Sequence, residues 1–115
     1  VGGSGEGNGV ENSMVSPGCR VEGAEVRNSI LGSGVHVEPG ASIEDSIVLN
    51  GVQVGRDAVL RRAVVDKANA VPPGMHIGVD EEADARDFTV SEGGVVVVAK
   101  HMPLDEIAEQ RRERR

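Results

Sequence analysis

Three histidines are the side chains of this sequence best suited to acid–base or metal chemistry: His36, His76 and His101. A neutral imidazole can act as a general base, and three together can hold a zinc ion at about 2.0–2.1 Å. In the repeat described below, His36 is the ninth residue of one unit and His76 the fifteenth of another, whereas His101 lies beyond the repeat. These positions predict that the three histidine side chains lie on different sides of the molecule. We therefore expect solvent-facing histidines, no metal site and no catalytic residue.

Two lysines point to a second kind of chemistry, the binding of anions. Lys67 follows Asp66 near the end of the repeat, and Lys100 follows an apolar run at Val95 to Val98. If that run forms a strand that docks on the repeat, both ammonium groups could face one surface and bind a phosphate group. Two unrelated surface lysines remain the simpler alternative when only the residues are considered.

Motifs for nucleotide, calcium and thiol chemistry are absent from the sequence. The glycine-rich start has no preceding strand that would make it a phosphate-binding loop. The acidic run from Asp80 to Asp87 lacks the spacing of an EF-hand, so we expect a solvated turn there. Cys19 is the only cysteine, which excludes an internal disulfide, and its place in the repeat predicts a small packed residue.

A repeat that fills residues 12–78 must position these side chains. Its units have a period of 16 once and 17 twice, and they begin at Asn12, Asn28, Asp45 and Arg62. Aliphatic residues fall about six apart within a unit, which fits neither a helical stripe nor an alternating strand. A chain that turns a corner every six residues and closes after three sides explains the spacing, with Gly, Asn and Asp at the corners. The sequence thus predicts an all-β fold, a parallel β-helix of hexapeptide repeats. Its interior columns are Val15, Leu31, Val48 and Val65; Val21, Val37, Val54 and Val71; and Val26, Ile43, Leu60 and Ile77.

The segments on either side of the repeat have different compositions. Residues 1–11 are a glycine-rich lead-in with little to bury, which leaves the first coil without a cap. Residues 79–100 predict an acidic turn, with Asp80 as the N-cap of a short helical turn, followed by a strand that closes the last coil. Residues 101–115 predict a tail that is partly helical, with Leu104, Ile107 and Ala108 on one narrow face and a frayed end.

Composition limits the classes of partner. The chain has 115 residues, a net charge of −7 and a single aromatic residue, Phe88. This balance argues against nucleic acid, which favours basic faces and aromatic platforms. No apolar run approaches the length of a membrane span and no signal peptide begins the sequence, so we expect no membrane partner and a cytoplasmic location.

Several segments together resemble the C-terminal domain of bacterial glucose-1-phosphate adenylyltransferase. The ordered set comprises NSMVSPGCRVEG, VRNSILGSGVHV, DSIVLNGVQVG, VLRRAVVDKANAVPPGMHIG, DEEADARDF and SEGGVVVVAK, which run through residues 12–100. The resemblance implies a left-handed β-helix, a handedness that the spacing alone does not give. It also implies a homotetrameric enzyme of glycogen synthesis that makes ADP-glucose and pyrophosphate from ATP and glucose 1-phosphate.

The same resemblance implies how the work is divided within that enzyme. Catalysis and Mg²⁺ would belong to an N-terminal domain outside this sequence, so this segment would hold no cofactor and be inactive alone. The coil would join subunits and bind phosphorylated sugar effectors such as fructose 1,6-bisphosphate. The basic residues of the DK motif and of the end of the SEGGVVVV strand would contact the effector, and here they are Lys67 and Lys100.

Two other functions stay open at this point. A hexapeptide-repeat acyltransferase would use His36 or His76 as its base, but it would also need a substrate loop between coils, and the repeat runs unbroken from 12 to 78. A pure assembly scaffold would differ from the effector-binding domain only in having no affinity for sugar phosphates.

Overall fold

A computed structural model describes residues 9–113 of the chain. Within this range there are fifteen short β-strands and two α-helices. The strands are β1 Gly9–Glu11, β2 Met14–Val15, β3 Arg20–Val21, β4 Glu25–Arg27, β5 Ile30–Leu31, β6 His36–Val37, β7 Ser42–Glu44, β8 Ile47–Val48, β9 Gln53–Val54, β10 Val59–Arg61, β11 Ala63–Val65, β12 Ala70–Val71, β13 His76–Ile77, β14 Thr89–Val90 and β15 Val96–Val98. The helices are α1 Glu81–Asp87 and α2 Leu104–Glu113.

Every third strand of the coil belongs to the same sheet, so the chain winds around three sides. The first sheet has the order β1-β4-β7-β10-β13, the second β14-β15-β11-β8-β5-β2 and the third β12-β9-β6-β3. Strands of successive coils pair in parallel, with the residues of each predicted column opposite one another. The predicted parallel β-helix is thereby confirmed.

The interior of the coil consists of the three predicted aliphatic columns. Their members are buried in one continuous core, apart from Val15 at the first coil, which is only partly buried. Each buried Val, Leu or Ile contributes about 1.5–3 kcal/mol relative to an exposed side chain. Because each side chain lies on its counterpart in the next coil, the three columns are filled without an aromatic ring, and the single Phe of the sequence, Phe88, joins the core from outside the repeat.

One corner repeats in every coil because its residue adopts a left-handed backbone conformation. The φ angles at Asn12, Asn28, Asp45 and Arg62 are 49°, 49°, 51° and 46°. Asn and Asp tolerate this region better than most residues. These are the four residues at which the sequence units begin. The period of 16–17 residues is therefore the length of chain between successive copies of one tight corner.

A ladder of serines satisfies the backbone beside that corner. The Ser29 and Ser46 amides donate to the hydroxyl of the preceding coil's serine, Ser13 and Ser29 respectively, at 3.1 Å in both cases. Each serine hydroxyl in turn donates to the carbonyl two residues before it, at 2.7–2.8 Å. The ladder ends at Ala63, whose amide donates to the Ser46 hydroxyl. Buried polar atoms at this corner are therefore paired from coil to coil.

The two ends of the coil differ from the sequence prediction in detail. Residues 9–11, placed in the lead-in, form β1 and pair with β4, so regular structure begins before Asn12; residues 1–8 lie outside the described range. Asp80 caps α1 as predicted, its side chain accepting from the Ala83 amide. The strand at Val96–Val98 docks on the last coil as predicted, in parallel with β11. A further strand, β14, was not predicted and pairs antiparallel with β15.

Helix α2 closes the open end of the coil. Leu104, Ile107 and Ala108, the face predicted from the sequence, are buried against the core. Within the described residues α2 continues to Glu113, and Arg111 donates to the His76 carbonyl of the coil, while fraying of the end stays a prediction. After β13 the chain forms no fifth coil within the described residues. Instead, β15 pairs with the second sheet and α2 lies against β12.

Candidate functional site

Lys67 and Lys100, the only two lysines of the sequence, occupy equivalent places just beyond two adjacent parallel strands, β11 and β15. Val65 of β11 lies opposite Val98 of β15, and each lysine comes two residues after its member of this pair. Neighbouring strands are about 4.8 Å apart. Both lysines are exposed. The structure therefore brings these two predicted site residues to the same end of the second sheet.

The chain segments that carry the lysines are bonded to each other. The Asp66 amide donates to the Val98 carbonyl at 2.9 Å. The Asn69 side-chain amide donates to the Asp66 carbonyl at 2.9 Å and to the Ala99 carbonyl at 2.8 Å. Its oxygen accepts from the Met102 amide at 3.0 Å. Asn69 was not among the predicted site residues, although it is the one polar residue in a column otherwise filled by Cys19, Val35 and Val52.

The charge around the lysines is mixed. Asp66 precedes Lys67 and its carboxylate accepts the Lys67 backbone amide at 2.6 Å, which turns the carboxylate toward the backbone. The two ammonium groups have no ion-pair partner among the carboxylates of residues 9–113. Two cations that form no ion pair with the described residues favour an anionic ligand such as a phosphate ester.

The three histidines do not converge. His36 lies on β6 of the third sheet, where its Nε2 is 3.2 Å from Glu22 Oε1. His76 lies on β13 of the first sheet, and His101 lies in the turn before α2. The hydrogen bond from His36, helped by the charge of Arg20, lowers the pKa of the Glu22 carboxyl. In residues 9–113, no group of three or more His, Cys, Asp or Glu side chains is placed to hold a metal ion.

Arg111 organises a buried ionic cluster where the sequence predicted a solvated acidic turn. Its guanidinium contacts Asp84 at 3.1 Å and Asp87 at 2.9 Å, and donates to the His76 carbonyl at 2.7 Å. It also lies 5.6 Å from the ring centre of Phe88. Asp84 is 2% exposed. Burial raises the pKa of Asp84, while Arg111 and the Gly78 amide act in the opposite direction. The acidic run is therefore a structural anchor for α2.

The family described as GlmU-like, C-terminal hexapeptide matches residues 2–98. The chain belongs to the GlmU-like C-terminal hexapeptide family. Membership of this family supports the left-handed form of the coil.

Relatives of this family member include several bacterial enzymes named glucose-1-phosphate adenylyltransferase. That of Corynebacterium jeikeium (strain K411) is 47% identical over 92 residues, which cover 80% of this chain and 23% of the relative. That of Albidiferax ferrireducens is 50% identical over 91 residues, or 79% of this chain and 22% of the relative. That of Mannheimia succiniciproducens is 41% identical over 93 residues, or 81% and 21%. The resemblance inferred from the sequence is confirmed, and the chain spans about a fifth of the length of these relatives.

The described residues contain no helix that could span a membrane. Neither α1 nor α2 is long and apolar enough to cross a bilayer.

Proposed function

We propose that this chain is the regulatory and oligomerisation domain of a glucose-1-phosphate adenylyltransferase, which makes ADP-glucose and pyrophosphate from ATP and glucose 1-phosphate for glycogen synthesis. The names of the relatives and their matched segment support this assignment. On this proposal, catalysis and Mg²⁺ belong to an N-terminal domain, this coil is inactive alone, and the enzyme is a cytoplasmic homotetramer.

The regulatory part of the proposal depends on the lysine pair. Lys67 and Lys100 would bind the phosphate groups of a sugar-phosphate effector. The observation that carries this assignment is that each lysine lies two residues beyond a member of the paired strands β11 and β15. A charge-assisted hydrogen bond contributes about 1.5–3 kcal/mol, so loss of one lysine should weaken effector binding about tenfold or more. The effector would activate by binding more tightly to one arrangement of coil and catalytic domain than to the other.

The oligomerisation part is supported by the outer face of the second sheet. Residues that point outward along its paired strands form an apolar stripe, made of Met14, Ile30, Ile47, Val64 and Val97. Met14 is 70% exposed. The corresponding outward positions of the first sheet include charged residues such as Glu25 and Glu44. We propose that the stripe contacts another subunit, and Ile47→Glu should then lower the assembly mass measured by analytical ultracentrifugation.

The experiment for the regulatory role is an activation assay on the longer protein that contains this chain. Lys67→Ala and Lys100→Ala should each raise the concentration of fructose 1,6-bisphosphate needed for half-activation about tenfold, and leave turnover without effector unchanged. Arg56→Ala removes an exposed cation elsewhere on the coil and serves as the control. Undiminished activation in both lysine variants would reject the regulatory role and leave the assembly scaffold. Binding of acetyl-CoA, expected to be undetectable, would instead favour the acyltransferase.

A further inference from the structure

The corner of the fourth coil that carries Lys67 differs from its counterparts at three consecutive positions. The first three coils have Pro17, Ser33 and Asn50 where the fourth has Lys67, and Cys19, Val35 and Val52 where it has Asn69. Between these columns, glycines at 18, 34 and 51 give way to Ala68. The change is therefore confined to the coil against which β15 docks.

The residue that follows each lysine has a left-handed backbone. The φ angle is 61° at Ala68 and 57° at His101. Residues with a Cβ seldom adopt this conformation, and they persist in it only when neighbouring contacts hold them there. Glycine fills the place of Ala68 in the other coils, so the fourth coil needs a support that those coils do not.

Asn69 supplies that support to both turns. It lies one residue after Ala68, and its oxygen accepts from the amide of Met102, one residue after His101. Its side-chain amide holds the Asp66 and Ala99 carbonyls, each of which belongs to the residue just before a lysine. Asn69 is 5% exposed, and its three bonds leave only one accepting position of its oxygen unused. One buried side chain thus spans the two segments that carry the lysines.

We infer that Asn69 is the positioning residue of the anion site: it does not touch the ligand, but it fixes the backbone turns that aim Lys67 and Lys100 at one phosphate ester. The inference deepens the proposed regulatory role and rests on it. Without Asn69 the two turns would move independently, and ligand binding would have to order them, which weakens affinity.

Asn69→Val is the matched substitution, because valine fills the same column at positions 35 and 52. In the longer protein that contains this chain, titration of Asn69→Val with fructose 1,6-bisphosphate by calorimetry should show binding weaker by about fivefold or more than in the unmodified protein, although both lysines are present. Hydrogen exchange at the Met102 amide should accelerate. Cys19→Val changes the same column three coils away and should leave the affinity within about twofold of the unmodified chain.

A double-mutant cycle separates positioning from a general loss of structure. If Asn69 acts through the lysine pair, Asn69→Val should add little to the loss already caused by Lys100→Ala, whereas independent effects would multiply. Should Asn69→Val fail to fold, Asn69→Ser is the smaller alternative, with the same expected loss of affinity. Affinity within twofold in whichever variant folds, or multiplicative losses in the cycle, would overturn the inference. If Lys67→Ala and Lys100→Ala themselves leave binding unchanged, the proposed regulatory role fails first, and that result is distinguishable from a failure of Asn69 alone.

Discussion

Removal of Arg111 should detach α2 from the end of the coil. The Arg111 side chain is 13% exposed, and its partners Asp84 and Asp87 are 3% and 7% exposed at the side chain. Arg111→Ala leaves Asp84 without an ion-pair partner in the part of the chain that the structure describes, while Asp87 keeps a weaker contact with Arg86 at 3.7 Å. Breaking a buried pair by removing one partner costs about 3–5 kcal/mol. Because the cluster joins α2 to α1 and to β13, we expect this loss in the opening free energy of α2.

The assay is native-state hydrogen exchange at the amides of Ile107 and Ala108, which are buried on the inner face of α2. Arg112→Ala is the control, since Arg112 is exposed on the same helix and should change the opening free energy by less than about 0.5 kcal/mol. A decrease below about 1 kcal/mol in Arg111→Ala would refute the reasoning that the buried carboxylates depend on this guanidinium.

The loss of stability caused by Arg111→Ala should also change with pH in a direction that the structure fixes. Burial already raises the pKa of Asp84, so its contribution to stability decreases as pH rises from the ordinary aspartate range through the raised value. Loss of the Arg111 charge raises this pKa further. The difference between Arg111→Ala and the unmodified chain should therefore be largest near neutral pH and shrink in acid, where Asp84 binds a proton. A penalty that grows on acidification would contradict this assignment.

Three further predictions concern the coil itself. In urea unfolding, Gly78→Ala should lower the free energy of unfolding by about 3 kcal/mol or more, because φ is +90° and a Cβ would collide with the Arg61 carbonyl. The control is Gly34→Ala, where φ is +71° and the space is open, and it should cost about 1 kcal/mol. Ser46→Ala should cost about 1–3 kcal/mol in the same assay, since the buried Ala63 amide loses its acceptor; no loss would contradict the ladder. His36→Ala should raise the pKa of Glu22 toward its usual value in carboxyl NMR titrations, because the hydrogen bond from His36 lowers that pKa most. The stabilisation from this contact is present above the pKa of Glu22 in the unfolded chain and is lost as pH falls through the lowered pKa of the folded state. An unchanged Glu22 titration would show that the contact does not persist in solution.

The coil could be predicted from the sequence because its columns repeat. Leu31, Val48 and Val65 have the same neighbours in each coil, so one physical rule accounts for all three. The docking of β15 was also predictable, since an apolar strand outside the repeat has the open coil edge as its natural partner.

The ionic cluster could not be predicted in the same way. Arg111 meets Asp84 and Asp87 across 27 and 24 residues, outside any repeat. An acidic run and a distant basic helix end give no signal of pairing, because surface charges have the same pattern. The i, i+3 spacing of the two aspartates on a short helix is the one feature that indicated a shared face.

Asn69 lay between these cases. Its departure from an aliphatic column was visible in the sequence, but its partners Ala99 and Met102 become neighbours only after β15 has docked. A polar residue in an otherwise apolar repeat column is therefore a signal that something outside the repeat contacts that coil.

Selective labelling of the lysines tests the central claim most directly, because the sequence has only two. In ¹³C-lysine NMR spectra of the chain, both side-chain signals should shift together during titration with fructose 1,6-bisphosphate, with one common dissociation constant. If the signal of Lys67 or of Lys100 stays still, or if the two follow different dissociation constants, they do not form one anion site.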